Sequence, residues 1–512
     1  MKTHRDMPPH LSGTAHKRSF KDAVILALVT TALLGAVLRL DAAELEPGHK
    51  PDAGDISKLV TRPGVNDLPV QAAMPDPLIM AHGQKVINGA HSVKTEGHKM
   101  AAYLKKVQSA PGGRHLFGHE STINMGVAGD RDWVEPNLAA FTGVDVHSLR
   151  SDVKELTGEL PAILGYDAFK LILDTTDGPP RRGEVNASIA ALKLYRDSGG
   201  IIALNWHMQP IGLPGYRERA YRMDETANNP YIALMKEKQP AYRIANGFET
   251  RDWWWTEFEN KRLAPMAERL AMISKDGSGI ILRPFHEFDG DWFWWGLKWL
   301  EGDRKLNGKD ALRTLFVETA RYMKQRLPGL MIAFSSDKLG YLDDKQPDAV
   351  QKFADEFATF LPSKPEDLEL IDIYGIDLYS EKDEPAPSRE RFRIKLKGLS
   401  RLAKQHGKIA AITEAGNRGL PAEDDSRKPC IDWFNNYLFS WIADPEIDVA
   451  FALIWQNWSN NRNREQEDPG DGYFIPVHPK SPAGVDFKAY IKRPETIMLD
   501  DLKNSWQRAT DP

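Results

Sequence analysis

Short apolar runs recur along this chain from about residue 95 onward, and amphipathic stretches separate them. Eight runs are candidate strands: His115–His119, Ala162–Asp167, Ile201–His207, Ile280–Glu287, Met331–Asp337, Ile371–Tyr379, Ile409–Glu414 and Val449–Asn457. The intervening helical segments include Arg262–Lys275, Ala311–Arg326 and Arg389–His406. Strands that alternate with helices form a parallel sheet, and eight such units are the number that closes a (β/α)8 barrel. The pattern therefore predicts an α/β fold of the TIM-barrel type.

The length of 512 residues permits one such barrel with elaborated loops. A (β/α)8 barrel takes roughly 250 residues, and more than about 400 when its loops are long. Two medium domains would also fit this length. No G-x-G-x-x-G motif follows the first strand, which argues against an open dinucleotide-binding sheet. We expect a single barrel domain over residues 95–505.

The N-terminus has the pattern of a targeting segment. A basic stretch precedes the apolar run Ala23–Leu38, and the small residues Ala42 and Ala43 follow it. Residues 1–43 are therefore predicted to be a signal peptide or an uncleaved membrane anchor, and residues 44–94 a loosely ordered lead-in. This predicts an exported protein that is periplasmic, secreted or anchored in the inner membrane. The single cysteine, Cys430, excludes an intramolecular disulfide.

Charge and composition narrow the class of ligand. The net charge is −5, and no Lys/Arg-rich run lies beyond the N-terminus, so we expect no nucleic-acid partner. Tryptophan is abundant: the chain has 14, and half of them lie between Trp253 and Trp299. Membrane contact is expected only through an uncleaved N-terminal anchor.

Polar residues cluster where the candidate strands end. These strand ends are His119–Glu120, Asp167, Trp206–His207, His286–Glu287, Asp377–Tyr379, Glu414, and Trp455 with Asn457. The carboxyl ends of barrel strands meet on one face, and charged groups there are typical of an active site. Loops are polar anyway, but seven such strand ends with acids, imidazoles and aromatic rings favour a site.

Two glutamates are the candidate chemical groups of this face. Glu287 ends an apolar strand, and the aromatic segment 292–295 that follows would desolvate it and raise its pKa. Arg283 or His286 could hold its carboxylate, and a purely structural ion pair between Glu287 and Arg283 is the alternative. Glu414 ends a second apolar strand, 127 residues later, or three units of roughly 42. The two carboxylates would then end strands four and seven and face one cleft.

The segment Arg283-Pro-Phe-His-Glu-Phe-Asp-Gly-Asp-Trp-Phe-Trp-Trp-Gly296 is a long tryptophan-rich motif. It resembles the acid/base motif of glycoside hydrolase family 26, which consists mainly of β-mannanases. Other blocks are similar to it in the family's order: Leu116–Glu120, Ser151–Gly158, Asn205–His207, Asp372–Tyr379, Thr413–Gly416, Ile454–Asn457, Tyr473–Pro476 and Asp486–Ala489. The resemblance implies a retaining (β/α)8 hydrolase that needs no cofactor and no metal.

The resemblance also implies roles for individual residues. Glu287 matches the acid/base of the family and Glu414 its nucleophile, while Tyr379 matches the tyrosine that orients the nucleophile. Residues expected to contact substrate are His207, His286, Trp292, Asp377, Trp455, Trp206, Glu120 and Arg283. Core packing is the alternative for Trp292 and Trp455, since tryptophan side chains also fill barrels. Asp289 stands where the family often has Asn, and together with long loops near residues 208–260 this leaves the exact substrate open.

The resulting hypothesis is a retaining glycosidase that cleaves β-1,4 linkages in mannan, galactomannan or manno-oligosaccharides. β-1,3-Xylan and mixed-linkage β-glucan are alternative substrates. A zinc protease is excluded because His286-Glu287 would need a second histidine at position 290, which is glycine. A serine hydrolase is excluded because Gly277-Ser278-Gly279 lacks the G-x-S-x-G frame. A noncatalytic glycan-binding protein on the same barrel is the alternative from another class.

Overall fold

The computed structural model describes residues 96–126, 129–130, 137, 145–175, 182–209, 253–290, 292–296, 308–339, 346–380, 390–417, 431–457, 474–476, 478–502 and 505–508. The predicted targeting segment (1–43) and lead-in (44–94) lie outside these residues, and so do Cys430 and most of the long loop after His207. Among the helices that are described, none combines the length and apolar character needed to cross a membrane.

Eight parallel strands form a closed barrel, as the sequence pattern predicts. We number them β1 (His115–Glu120), β2 (Ile163–Asp167), β3 (Ile201–Trp206), β4 (Ile280–Pro284), β5 (Met331–Ser336), β6 (Ile373–Ser380), β7 (Ile409–Asn417) and β8 (Phe451–Ile454). Each strand pairs with the next in the chain. The barrel closes where β1 pairs in parallel with β8, from Leu116 opposite Phe451 to His119 opposite Ile454.

Helices precede and follow the barrel strands along the chain. The α-helices are Glu96–Gln108, Asp152–Thr157, Arg182–Asp197, Trp253–Phe258, Ala264–Ile273, Gly308–Arg326, Ala349–Ala358, Pro365–Leu368, Glu390–His406, Ser440–Ile442, Pro482–Ile491, Leu499–Leu502 and Ser505–Arg508. The π-helical segments are Glu259–Leu263 and Trp433–Phe439, and the 3-10 segments are Val146–Ser148 and Ala168–Thr175. Short strand pieces lie at Met125–Gly126, Gly129–Asp130 and Thr496–Ile497.

Alternation along each strand separates two apolar layers. On β4, Ile281 belongs to a cluster that fills the barrel, whereas Ile280 and Leu282 belong to the cluster between barrel and helices. The helix Glu96–Gln108 adds Met100 to the inner cluster. Because the barrel is filled with apolar side chains, polar residues concentrate at the carboxyl ends of its strands.

β7 departs from strict alternation where it reaches the carboxyl face. Its register with β6 shifts between Ile412, opposite Ile376, and Glu414, opposite Asp377. The register with β8 shifts over the same residues. One extra residue on one strand is a β-bulge, which redirects side chains and is frequent beside active sites. Here Thr413 and Glu414 are neighbours in sequence, yet both side chains bond to groups inside the barrel.

Candidate active site

Glu414 lies at the centre of the polar face and is 3% exposed. Its Oε1 accepts a hydrogen bond from the guanidinium of Arg283, and its Oε2 accepts one from the hydroxyl of Tyr379 at 2.7 Å. A carboxylate with a charged donor on one oxygen and a phenol on the other is held in a fixed orientation and is stabilised in its ionised form. This is the state and the geometry that a nucleophile needs.

Arg283 links acidic residues on two strands of the site, Asp377 on β6 and Glu414 on β7. Besides Glu414, the guanidinium bonds Asp377 Oδ2 at 2.7 Å and Ser335 Oγ at 3.0 Å. Asp377 also accepts the hydroxyl of Thr413 at 2.6 Å. The alternative in which Arg283 serves as a structural ion pair for Glu287 is therefore wrong, since its hydrogen bonds go to Asp377 and Glu414. A planar, always charged side chain suits this bridging position.

Glu287 follows β4 in an unusual backbone conformation. Its φ is 50° and that of Phe285 is 52°. Both values lie in the left-handed region of backbone conformation, which residues other than glycine rarely adopt. The peptide N–H of Glu287 donates to Ser335 O at 3.1 Å, and its Oε2 accepts the indole N–H of Trp292 at 2.6 Å. Strain of this kind persists where surrounding contacts fix the chain, and it is common at functional sites.

The surroundings of Glu287 differ from those of Glu414. Burial raises the pKa of Glu287 well above its usual range, and the neighbouring Asp377 and Asp337 raise it further. Arg283 and the Trp292 hydrogen bond lower this pKa, but they do not offset the burial. A carboxyl that keeps its proton near neutral pH can act as a general acid.

The separation of the two glutamates suits double displacement. One carboxylate oxygen from each of Glu287, Asp377 and Glu414 lies within 4.8 Å of the others. Retaining glycosidases place their two carboxyls about 5–5.5 Å apart, whereas inverting enzymes need roughly 6.5–9.5 Å to fit a water between them. The carboxyls at the ends of β4 and β7 are thus separated by a distance nearer to the shorter of these two ranges.

Comparison with known proteins identifies the family of this barrel. The model of the glycosyl hydrolase family 26 matches residues 95–464. The chain belongs to glycosyl hydrolase family 26.

Among curated relatives, a mannan endo-1,4-β-mannosidase of Bifidobacterium adolescentis is 26% identical over 358 residues, which are 68% of this chain and 31% of that protein. A mannan endo-1,4-β-mannosidase of Bacillus subtilis is 26% identical over 235 residues, or 44% of this chain and 53% of that protein. The chain thus spans about a third to a half of the length of these relatives.

Solved structures show the same fold. GH26C of a Muricauda species is 25% identical with a TM-score of 0.58, covering 80% of this chain and 93% of that one. An endo-β-1,4-mannanase of Cellulomonas fimi is 22% identical with a TM-score of 0.57, covering 81% of this chain and 77% of that one. The second likeness concerns the fold alone.

Histidines and aromatic rings form one wall of this family 26 site. His207 Nδ1 lies 3.1 Å from Asp167 Oδ2, and the ring of His207 meets that of His286 edge to face at 4.8 Å. Trp455 lies 6.4 Å from His207 between ring centroids and is partly exposed, as is Trp292. The structure therefore brings the predicted residues His207, His286, Trp292 and Trp455 to the same face as the two glutamates.

Two predicted contact residues lie deeper than the sequence suggested. Trp206 is 0% exposed and belongs to the apolar layer between barrel and helices. Its neighbour Asn205 lines the barrel interior, and alternation along β3 places Trp206 on the other side of the strand, so the predicted sugar contact at Trp206 is not supported. Glu120 is 2% exposed, and the absence of a side chain at Gly165 makes room for its carboxylate.

Several polar residues of the site were given no individual role in the sequence analysis, although Asp167 was named there as a polar strand end. Asp167 fixes His207, Ser335 and Thr413 hold the Arg283–Asp377 pair, and Asp337 contributes charge beside Glu287. Burial raises the pKa of Asp337 to about 7, and Asp377 and Asp289 act in the same direction. Asp167 and Asp337 end candidate strands, which is the signal that could have identified them.

A cation site would be possible from distances alone, because the oxygens of Glu287, Asp377 and Glu414 are close together. The guanidinium of Arg283 already lies on two of these three carboxylates. Because its positive charge already pairs with these two carboxylates, the described residues fit an ion-paired carboxylate site better than a metal centre.

Proposed function

We propose that this family 26 protein is a retaining glycoside hydrolase that cleaves β-1,4-mannosidic linkages in mannan, galactomannan or manno-oligosaccharides. The observation that carries the proposal is the pair of carboxyls at the ends of β4 and β7. Their oxygens are within 4.8 Å, and their surroundings differ as those of an acid and a nucleophile should.

The first chemical step uses both glutamates. Glu414 attacks the anomeric carbon while Glu287 transfers its proton to the leaving oxygen, so that the glycosidic bond breaks and a glycosyl ester forms on Glu414. Tyr379 and Arg283 keep the nucleophile aligned, which limits the reorganisation that the attack requires. The high pKa of Glu287 supplies the proton at neutral pH.

The second step reverses the role of Glu287. As a carboxylate it removes a proton from water, the water oxygen attacks the anomeric carbon, and the ester bond to Glu414 breaks. Two inversions at one carbon give net retention. In their ionised forms, Asp377 and Asp337 raise the pKa of Glu287, which favours its return to the protonated form.

Two observations support a neutral glycan as substrate. Arg283, the cation beside Glu287, is already paired with the carboxylates of Asp377 and Glu414, so it is not available to bind an anionic sugar. Both curated relatives described above carry the name mannan endo-1,4-β-mannosidase. β-1,3-Xylan and mixed-linkage β-glucan are the alternative substrates with the same chemistry.

The proposed compartment follows from the sequence. The apolar run Ala23–Leu38 and the small residues after it support export to the periplasm or the medium, or an inner-membrane anchor. Either location would give the enzyme access to polysaccharides or imported oligosaccharides. Fractionation of the producing cells, with N-terminal sequencing of the mature protein, separates a cleaved leader from a retained anchor.

The test of the function is product analysis over time on mannohexaose, galactomannan, mixed-linkage β-glucan and β-1,3-xylan, with Glu414→Ala as the blank. We expect mannohexaose cleavage that disappears in the variant, with retained anomeric configuration by NMR. Cleavage of another glycan with mannan intact would refute the substrate. No cleavage of any glycan by the wild type would favour a noncatalytic glycan-binding protein.

The role of Glu287 has its own test. Glu287→Ala should lose activity on mannan but keep substantial activity on aryl mannosides with good leaving groups, because these leave without protonation. Glu414→Ala should lose both activities. If Glu287→Ala lost activity on mannan and on aryl mannosides equally, this residue would not be the general acid.

A further inference from the structure

A segment distant in sequence packs directly behind the nucleophile. Phe474 is 1% exposed, and its ring meets that of Tyr379 at 5.8 Å between centroids with the planes inclined by 69°. Tyr379 in turn donates to Glu414 at 2.7 Å. The Phe474 ring is therefore one contact removed from the carboxylate that attacks the sugar.

Gly416, two residues after Glu414, allows this approach. A Cβ built on Gly416 would overlap the Phe474 ring at three of its carbon atoms. Phe474 thus packs against the backbone of β7 itself, beside the bulge. This position restrains the Phe474 ring on one side, and contact with Tyr379 restrains it on another.

Asn457 holds this segment in place through four hydrogen bonds. Its Oδ1 accepts the peptide N–H groups of Phe474 at 2.7 Å and Ile475 at 2.9 Å. Its Nδ2 donates to Ile475 O at 3.1 Å and to the buried carboxylate of Asp152 at 2.8 Å. Asn457 is 0% exposed, so all four bonds form away from water, where leaving a group unpaired is costly.

We infer that Asn457 is a positioning residue for the nucleophile, which it fixes through Phe474 and Tyr379 while Asp152 anchors it from the opposite side. This inference rests on the proposed function, since it gives Glu414 the role of nucleophile. The hydrogen bonds of the Asn457 side chain go to Asp152, Phe474 and Ile475, and none of them goes to Glu414. It determines where the Phe474 ring lies, and the ring determines where the phenol of Tyr379 lies.

Asn457→Asp tests the inference with almost no change in size. The new oxygen would face the Asp152 carboxylate and Ile475 O, and both contacts would become repulsive. We expect Phe474 to withdraw and Tyr379 to lose its bond to Glu414. Because displacements of about 1 Å can cost on the order of 100-fold in rate, kcat should fall about 10- to 100-fold, and KM should change little.

A double variant and a surface control separate positioning from general damage. Asp152→Asn combined with Asn457→Asp restores a donor–acceptor pair with the charge exchanged, and should recover part of kcat. Asn436→Asp makes the same substitution in an exposed Asn–Asp pair with Asp432, and should leave kcat unchanged. Phe474→Leu keeps an apolar side chain but removes the ring, and should lower kcat in the same direction.

The deciding measurements are crystal structures of the variants and their kcat and KM on an aryl mannoside, with folding checked by circular dichroism. Loss of the Tyr379–Glu414 contact together with lower kcat at full folding supports the inference. An intact contact in folded Asn457→Asp, or no recovery in the double variant, overturns it. If the wild type proves inactive, the proposed function fails, and the crystal structures still decide whether Asn457 positions Tyr379 and Glu414.

Discussion

Replacing Arg283 by methionine should destabilise the barrel strongly at neutral pH and much less in acid. The guanidinium is 5% exposed and lies on two carboxylates, Asp377 at 1% and Glu414 at 3% exposure. Methionine retains apolar bulk but removes the charge. Removing one partner of a buried ion pair costs about 3–5 kcal/mol, because the remaining charge is left uncompensated. With two carboxylates affected, we expect the upper part of that range at pH 8.

The pH dependence follows from the sign of the pKa change. Burial raises the pKa of Asp377, and Arg283 is the largest factor that lowers it, so the variant raises this pKa further. A carboxyl whose pKa is higher in the folded than in the unfolded state lowers the free energy of unfolding, and this cost is complete above the folded-state pKa. The cost disappears as the pH falls towards the unfolded-state pKa of about 3.9. The difference in stability between wild type and Arg283→Met should therefore shrink from pH 8 to pH 5.

Guanidinium chloride unfolding, followed by tryptophan fluorescence at both pH values, measures this difference. Arg401→Met on the exposed face of the helix Glu390–His406 is the control, and should change stability by less than about 0.5 kcal/mol. An Arg283→Met protein as stable as the wild type at pH 8, or a deficit that is the same at pH 5, would refute the reasoning.

Three further predictions concern the acid and the tryptophans. Glu287→Gln should raise the free energy of unfolding at pH 8, because burial raises the pKa of Glu287 and the neutral amide avoids this cost. The gain in stability should vanish near pH 4. An equal gain at both pH values, measured by denaturant unfolding, would contradict this. Trp292→Phe removes a hydrogen-bond donor that lowers the pKa of Glu287, so the alkaline limb of the pH profile of kcat/KM should move to higher pH. A limb that stays in place or moves to lower pH would contradict the role of Glu287 as general acid. Trp206→Ala should lower the free energy of unfolding by about 3–5 kcal/mol in denaturant unfolding. Trp206→Phe should leave KM for mannohexaose unchanged. A raised KM in folded Trp206→Phe would place Trp206 in contact with substrate.

The sequence predicted the barrel because its pattern is repeated eight times. Each apolar run ends in polar residues, and carboxyl ends of parallel strands meet on one face whatever the details of packing. Glu287 and Glu414 were found in this way, since their strands are three units apart. The separation between their carboxylates could not be predicted, because it depends on strand tilt and on side-chain torsions.

Other features of the site depend on tertiary contacts that no local pattern records. The sequence suggested Arg283 as a partner for Glu287, its near neighbour, but the guanidinium extends to strands β6 and β7 instead. Trp206 lies between two residues of the polar face, yet alternation directs its indole outwards. The four hydrogen bonds of Asn457 join segments that are up to 305 residues apart.

The bulge in β7 has a consequence for how such a site can be gained or lost. Shifting a strand by one residue exchanges the two sides on which its side chains lie. Because Ile412 belongs to the layer between barrel and helices, deletion of Thr413 would restore regular alternation with Glu414 in the inward position that Thr413 now has, and the Thr413–Asp377 hydrogen bond would be lost. Point substitutions at neighbouring positions cannot reproduce that change. In this barrel the presence of two successive inward polar side chains therefore depends on the number of residues in the strand as well as on their identity, and a designer who transplants both Thr413 and Glu414 to another scaffold must transplant the insertion with them.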